Sequence, residues 1–136
     1  MDKLHAAGLE EVLTVDVVLT GFEETAQPDG SKLLHLPFAG QAIGSLFTGE
    51  IQPGAADDQV HRNDKMDTAV ADYVILGTDY VGQECSVHVV NRYLDGQWKP
   101  TVTTDSKALD FLNSADCSAV LELRKQGPIV HIFAKR

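Results

Sequence analysis

The sequence predicts an all-β protein: one antiparallel barrel of about nine strands, with a short helix near the C-terminus. Three observations carry this. Apolar residues recur at every second position rather than at helical spacing. Clusters of Gly, Pro, Asp and Asn punctuate the chain at intervals that suit strands. Glycines inside strand-like runs suit a sheet that curls over and closes, which removes exposed edges. A two-sheet sandwich is the alternative that the same pattern allows.

The elements follow in order. Glu11 to Phe22 alternates, with Leu13, Val15, Val17 and Leu19 on one face and Thr14, Asp16 and Thr20 on the other. That is a half-buried strand. Gln27-Pro28-Asp29-Gly30 supplies a turn, and Leu33 to Phe38 a second strand. Ile43 to Ile51 reads as a third, in which Gly44 and Gly49 suggest bulges or a bend. Gln52 to Thr68 reads as irregular, with a short strand around Gln59-Val60-His61. Ala69 to Leu76 and Glu84 to Leu94 are strands, the second with an apolar spine of Val87, Val89 and Val90. Asp95-Gly96 is a hairpin turn, and Lys99 to Thr103 a short strand. Asp105 or Ser106 can cap a helix over Lys107 to Asn113, which puts Ala108, Leu109, Phe111 and Leu112 at helical spacing. Cys117 to Arg124 and Ile129 to Phe133 close the chain around Gly127-Pro128.

A chain of 136 residues without repeats or linkers reads as one domain, residues 1–136, large enough to bury a core unaided. Its net charge of −9 argues against nucleic acid and anionic membranes, which need clustered Lys and Arg. Basic residues are scattered, apart from the ending Ala134-Lys135-Arg136. The opening Met1 to Glu11 has no apolar core of signal-peptide length, and no window approaches the roughly 18 apolar residues of a spanning helix. Cys85 and Cys117 read as buried free thiols. The expectation is a cytoplasmic protein.

The stretch from Gly40 to Ser106 carries a resemblance. Its most specific part runs through Gly40, Gly44, Leu46, Phe47, Gly49, Ile51, Pro53, Gly54, Ala56, Asp57 and Gln59. Ala71, Tyr73, Ile75, Gly77 and Asp79 follow, then Gly82-Gln83-x-Cys85, then Lys99-Pro100-Thr101 with Thr104-Asp105-Ser106. This order resembles the bacterial and fungal family catalogued as domain of unknown function 3237. The resemblance implies a calycin-like, lipocalin-like barrel of eight or nine strands and no established reaction. Two departures stand out. Paired glycines of the family become Gly54-Ala55, and its arginine before the strand tyrosine becomes Asp72. A contact to an anionic ligand, if that arginine makes one, is here lost or made by Arg62 or Arg92.

Asp57 is the first candidate for chemistry. Among small residues beside an apolar cavity, its carboxyl would act as general acid or base; otherwise it bonds its own backbone in a turn. Tyr73 joins it as a second catalytic candidate, with Gln59, Arg62 and Asn91 as ligand-binding partners. Tyr73 shares strand parity with Ala71 and Ile75, and Asn91 with Val87 and Val89. If those faces point inward, a phenol and an amide enter an apolar lining, the usual layout of a small-molecule pocket. A core tyrosine and a strand-end amide are the plainer alternatives. His88 lies on the face opposite Asn91, and His61 is either a rim acid or base or a surface histidine. Asp79, Asp105 and Ser106 read as turn and cap residues. No H-x-H, H-E-x-x-H or Cys/His spacing, phosphate loop or nucleophile elbow occurs, so no metal and no cofactor are expected.

The function expected is the holding of a small, largely apolar organic molecule in or at the mouth of the barrel. If chemistry occurs there, it is proton transfer: isomerisation, cyclisation or hydration. The rival is a filled barrel acting as a homo-oligomeric or partner-binding module, a homodimer for instance, through the face of Leu13 to Leu19 or exposed sheet edges.

Overall fold

A computed structural model describes residues 8–135. The sequence readings of the first seven residues and of Arg136 in the basic ending lie outside the described residues. Within them run ten strands: β1 (Glu10–Leu19), β2 (Glu23–Ala26), β3 (Lys32–Ile43), β4 (Phe47–Ile51), β5 (Ala56–Arg62), β6 (Lys65–Asp79), β7 (Glu84–Leu94), β8 (Gln97–Thr104), β9 (Cys117–Glu122) and β10 (Ile129–Ala134).

They fill eight positions of a closed antiparallel barrel. β1 and β2 lie end to end along β3, pairing Leu19 with Phe38 and then Glu23 with His35. β4 and β5 likewise share one position between β3 and β6. The ring closes because β1 pairs with β10 on one side and β3 on the other. Successive positions are neighbours all the way round, so the topology is up-and-down and the sandwich alternative is excluded. β8 and β9 form the weakest seam, with Trp98 opposite Ala119 as their one paired register position.

The alternation in β1 holds. Val15 and Val17 are buried, and a bulge between Glu11 and Leu13 lets Val12 and Leu13 both turn inward. The face from Leu13 to Val17 is therefore core and is unavailable as an interface, which corrects that expectation. Leu19 keeps the inward parity but stands near the mouth, half exposed. The segment read as irregular, Gln52 to Thr68, holds β5 and the start of β6; the short strand read around Gln59-Val60-His61 lies within β5, which is longer. Only the break at Gln52 to Ala55 and the turn at Asn63-Asp64 lack strand structure, and both turn residues have positive φ. The expected helix is a single 3-10 turn, Asp110–Ser114.

The two ends of the barrel differ. At one, Phe38, Phe47, Ile75, Val87, Val89, Val102 and Ile132 fill the interior, with Leu109 and Leu112 packed in from the β8–β9 connection. Asp79 is buried there as a turn acceptor for the Val81 and Gln83 N–H groups and for the Ser106 hydroxyl, which chiefly holds its pKa below the usual range. Ser106 Oγ also accepts from the Leu109 N–H, and Asp105 from the Ser86 N–H. Both cysteines are buried and free. At the other end the inward positions of β6 are Ala69 and Ala71, and the interior is left open.

Gly49 and Gly77 face one another across β4 and β6 with no shift of register, so Gly49 marks a close approach rather than a bulge. A Cβ on Gly77 would lie 1.9 Å from the Thr48 carbonyl oxygen. No side-chain rotation relieves a clash with backbone. Gly77→Ala is expected to destabilise the fold by more than about 2 kcal/mol, seen as a lower midpoint in denaturant at unchanged slope.

Candidate functional site

β5 runs beside the open end, and its inward face is polar. Asp57, Gln59 and His61 alternate along it. The register shift between β5 and β6 falls on β6, where Asp67 is the extra residue between the Thr68 and Met66 pairings. β5 itself stays regular, so its positions i, i+2 and i+4 share one face. Gln59 Nε2 donates to Asp57 Oδ2 at 2.6 Å, and Gln59 Oε1 bonds His61 Nε2 at 2.8 Å. A carboxylate, an amide and an imidazole thus form a ladder from the interior to the rim.

Cross-strand pairing places the other polar groups. One row runs Leu36, Asp57, Ala71, Asn91, Pro100 across β3, β5, β6, β7 and β8. Asp57 and Asn91 flank Ala71, whose methyl is too short to fill the space between them. The next row towards the mouth runs Gln59, Ala69, Tyr93, Trp98. The next row towards the filled end holds Tyr73, Val89 and Val102. Tyr73 packs edge-on against Phe38, ring centroids 5.2 Å apart.

Three side-chain atoms at this level are buried without a hydrogen-bond partner among the described residues: Asp57 Oδ1, Tyr73 Oη and Asn91 Oδ1. Tyr73 and Asn91 are each only 3% exposed. Buried polar groups of this kind are rare and ask for an explanation. Burial is the main cause that raises the Asp57 pKa above the ordinary carboxyl value, and the bond from Gln59 opposes it. Burial alone pushes the Tyr73 phenol upward. Asp57 does not cap a turn: its bond goes to a side chain, and it lies within a strand.

Above these atoms a cavity of about 920 Å³ opens to solvent. Asp57 and Gln59 line it with Leu36, Met66, Tyr93 and Trp98. Tyr93 and Trp98 are in contact, centroids 5.1 Å apart, and form an aromatic wall. Tyr73 and Asn91 lie beneath this lining rather than in it. The aromatic wall is absent from the candidates that the sequence suggested; its signal is parity, since Trp98 shares a face with Pro100 and Val102.

The structure brings Asp57, Gln59, Asn91 and Tyr73 together and leaves Arg62 apart. Arg62 points outward and pairs with Asp29 at 3.1 Å and Asp67 at 3.3 Å. Asp72 also faces outward, 2.6 Å from His88 Nε2, as His35 does with Asp58 at the same distance. Arg92 is exposed on the outer face of β7. Position 72 therefore belongs to the outside of the barrel and not to the cavity. Among the described residues no group of three or more His, Cys, Asp or Glu side chains is placed to hold a metal ion, and no helix is long and apolar enough to cross a membrane.

No family model matches the chain, and no curated protein does. Solved structures of similar fold are found. A protein with unknown function from Clostridium acetobutylicum superposes with a TM-score of 0.74 at 16% identity, covering 93% of this chain and 95% of the other. A beta-barrel-like protein from Acinetobacter baumannii gives 0.69 at 17%, over 93% and 94%. An enzyme from Penicillium herquei gives 0.71 at 15%, over 93% and 92%. At these identities the likeness is one of fold.

Two measurements check the energetics of the floor. Tyr73→Phe removes a buried hydroxyl that bonds nothing, so it is expected to stabilise the free protein by about 1 kcal/mol, read as a rise in Tm. Asp57 binds its proton more tightly in the folded than in the unfolded chain. Its ionisation therefore costs stability as pH rises from the unfolded carboxyl range through the folded pKa. Asp57→Asn escapes that cost, so its unfolding free energy should match the parent at acidic pH and exceed it increasingly towards neutrality.

Proposed function

We propose that this barrel holds a small, largely apolar organic molecule in the cavity at its open end, and that Asp57 moves a proton on it. The single observation that carries the reading is the set of three partnerless polar atoms buried directly under an open, aromatic-walled cavity. A sequence selected for stability alone would have apolar side chains at these positions, whereas binding sites accept such costs. The cavity lies within the size range of small-molecule pockets, and a few convergent polar groups in an apolar lining are their usual make-up.

The chemistry follows from the groups. A carboxyl whose pKa is raised by burial is a competent general base or acid. Its Oδ2 is held by Gln59, which leaves Oδ1 as the oxygen without a partner. A ligand seated against Ala71 would meet Asp57 on one side and Asn91 on the other, with the Tyr73 hydroxyl below. The Tyr73 hydroxyl would then polarise a ligand oxygen as the proton moves, and Asn91 Oδ1 would accept a hydrogen from the ligand. Isomerisation, cyclisation and hydration all fit this pattern. The barrel type does host catalysis, since the Penicillium herquei protein of similar fold is an enzyme. The resemblance of the Gly40–Ser106 motifs to the family of domain of unknown function 3237, and a calycin-like kinship of the barrel, are part of the same proposal.

A second reading, self-association, has one observation in its favour. Val70, Val74 and Leu76 lie exposed along the outer face of β6, with Asp72 between the two valines. This stretch is short, and it does not compete with the cavity for space.

The experiment is a pair of mass spectra, native and denaturing, on protein purified from its own host. An extra organic mass released on denaturation is expected, and its loss in Trp98→Ala protein would assign it to the cavity. On the molecule so identified, Asp57→Asn should lower turnover by at least about a hundredfold. Turnover unchanged in that variant would overturn the proton-transfer role, and a bare chain found only as a discrete oligomer would favour self-association.

A further inference from the structure

We propose that His61 is a positioning residue: through the Gln59 amide it fixes which Asp57 oxygen is held and leaves the other free to exchange a proton with a ligand. The inference rests on the reading of Asp57 as the group that moves the proton. It stands on the ladder along β5, His61 Nε2 to Gln59 Oε1 at 2.8 Å and Gln59 Nε2 to Asp57 Oδ2 at 2.6 Å.

A primary amide placed between two partners has two polarities. In one, His61 Nε2–H donates to Gln59 Oε1, and the Gln59 NH₂ donates to Asp57 Oδ2. That arrangement needs an accepting oxygen on Asp57 and suits the carboxylate. In the other the amide is turned over, Asp57 Oδ2–H donates to Gln59 Oε1, and the Gln59 NH₂ donates to a bare His61 Nε2. That arrangement needs a protonated Asp57 and the Nδ1–H form of histidine. No third pattern keeps both bonds. A histidine whose Nε2 carries hydrogen, neutral or charged, therefore excludes the second polarity. Any proton that Asp57 takes up must then go to Oδ1, the oxygen with no partner.

The rim supplies the means to set this. His61 lines a small hollow at the mouth with Glu24, Lys32 and Asp64, and on its neighbouring strands it lies opposite Lys32 of β3 and Met66 of β6. At the inner end, burial chiefly raises the Asp57 pKa and the Gln59 bond lowers it, with Asp58 and His61 adding smaller opposing effects. The imidazole thus stands where solvent conditions act, while the carboxyl stands where a ligand would.

The test follows protonation and needs no substrate. In the parent protein, ¹⁵N shifts of the His61 ring should show hydrogen on Nε2 throughout the neutral range. The ¹³C carboxyl titration of Asp57 should move to higher pH in Gln59→Leu and by less in His61→Phe, and the shift in the double variant should fall short of their sum, because both changes act on one chain. His61→Lys, whose ammonium can only donate, should bring the titration back to the parent value or below it. An Nδ1–H tautomer in the parent, or an Asp57 titration unmoved in His61→Phe and Gln59→Leu, would overturn the proposal. Those outcomes are independent of the cavity reading. Loss of turnover in Asp57→Asn with an unmoved titration would leave Asp57 catalytic and His61 idle, whereas a moved titration without any ligand would leave the ladder real and the proposed reaction wrong.

Discussion

The structure depends on closure of one sheet into a ring of eight positions. A ring of that size has an interior that side chains alone can fill, so the volume of the inward residues decides what the protein contains. β3 makes the closure possible. It is long enough to pair with β1 and β2 along one side and with β4 and β5 along the other. Where the inward residues are Phe, Ile and Val, the barrel is solid. Where β6 offers Ala69 and Ala71, it is hollow. The boundary between the two halves falls at the row of Asp57, Ala71 and Asn91, and that is where the partnerless polar atoms are found.

The coincidence has a physical logic. A polar group inside a packed core must find a partner or cost stability, and within bulk water it costs nothing. At the floor of a cavity it occupies an intermediate place: dry enough for its pKa to shift, near enough to an opening for a visitor to satisfy it. Asp57 shows both features, with its pKa raised by burial and one oxygen already held by Gln59. The outer surface handles charge differently. His35 with Asp58, His88 with Asp72, and Arg62 with Asp29 and Asp67 are solvent-exposed pairs whose contribution to stability is small. Alternation along β5 sorts the two sets, sending Asp58 out and Asp57 in.

The same alternation explains what was legible in the sequence. β1 and β7 could be read because an apolar face alternates with a polar one, and Asp95-Gly96 marks the turn after β7 unmistakably. β5 could be read only as a short strand around Gln59-Val60-His61 and not over its length, Ala56–Arg62. Its inward residues are Asp57, Gln59 and His61, so both faces are polar and most of the segment looks like a loop. The strand that carries the candidate chemistry is partly hidden by the residues that make it a candidate. Tyr73 and Asn91 were legible because they interrupt strands that are otherwise apolar on that face, and parity is enough to turn them inward. The ladder from His61 to Asp57 was not legible, since it exists only once β5 is known to reach back to Asp57 and its bulge is known to fall on β6.

The pairing of Arg62 follows the same reasoning in reverse. As a cation near a supposed loop it looks like a ligand contact, but β5 places it one residue past an inward position, and two carboxylates on the outer surface take it up. A cavity without an arginine has a different preference from one that contains it. Its floor offers the oxygens of Asp57 and Asn91 and a single phenol, and the amide of Gln59 is already committed. Lys99 also lines the cavity wall, but such a floor presents mostly acceptors and disfavours an anion set against it. The net charge of −9 acts in the same direction over longer range. The side of β5 on which a single guanidinium falls thus sets one part of the charge that the cavity presents, and Lys99 on the wall sets another.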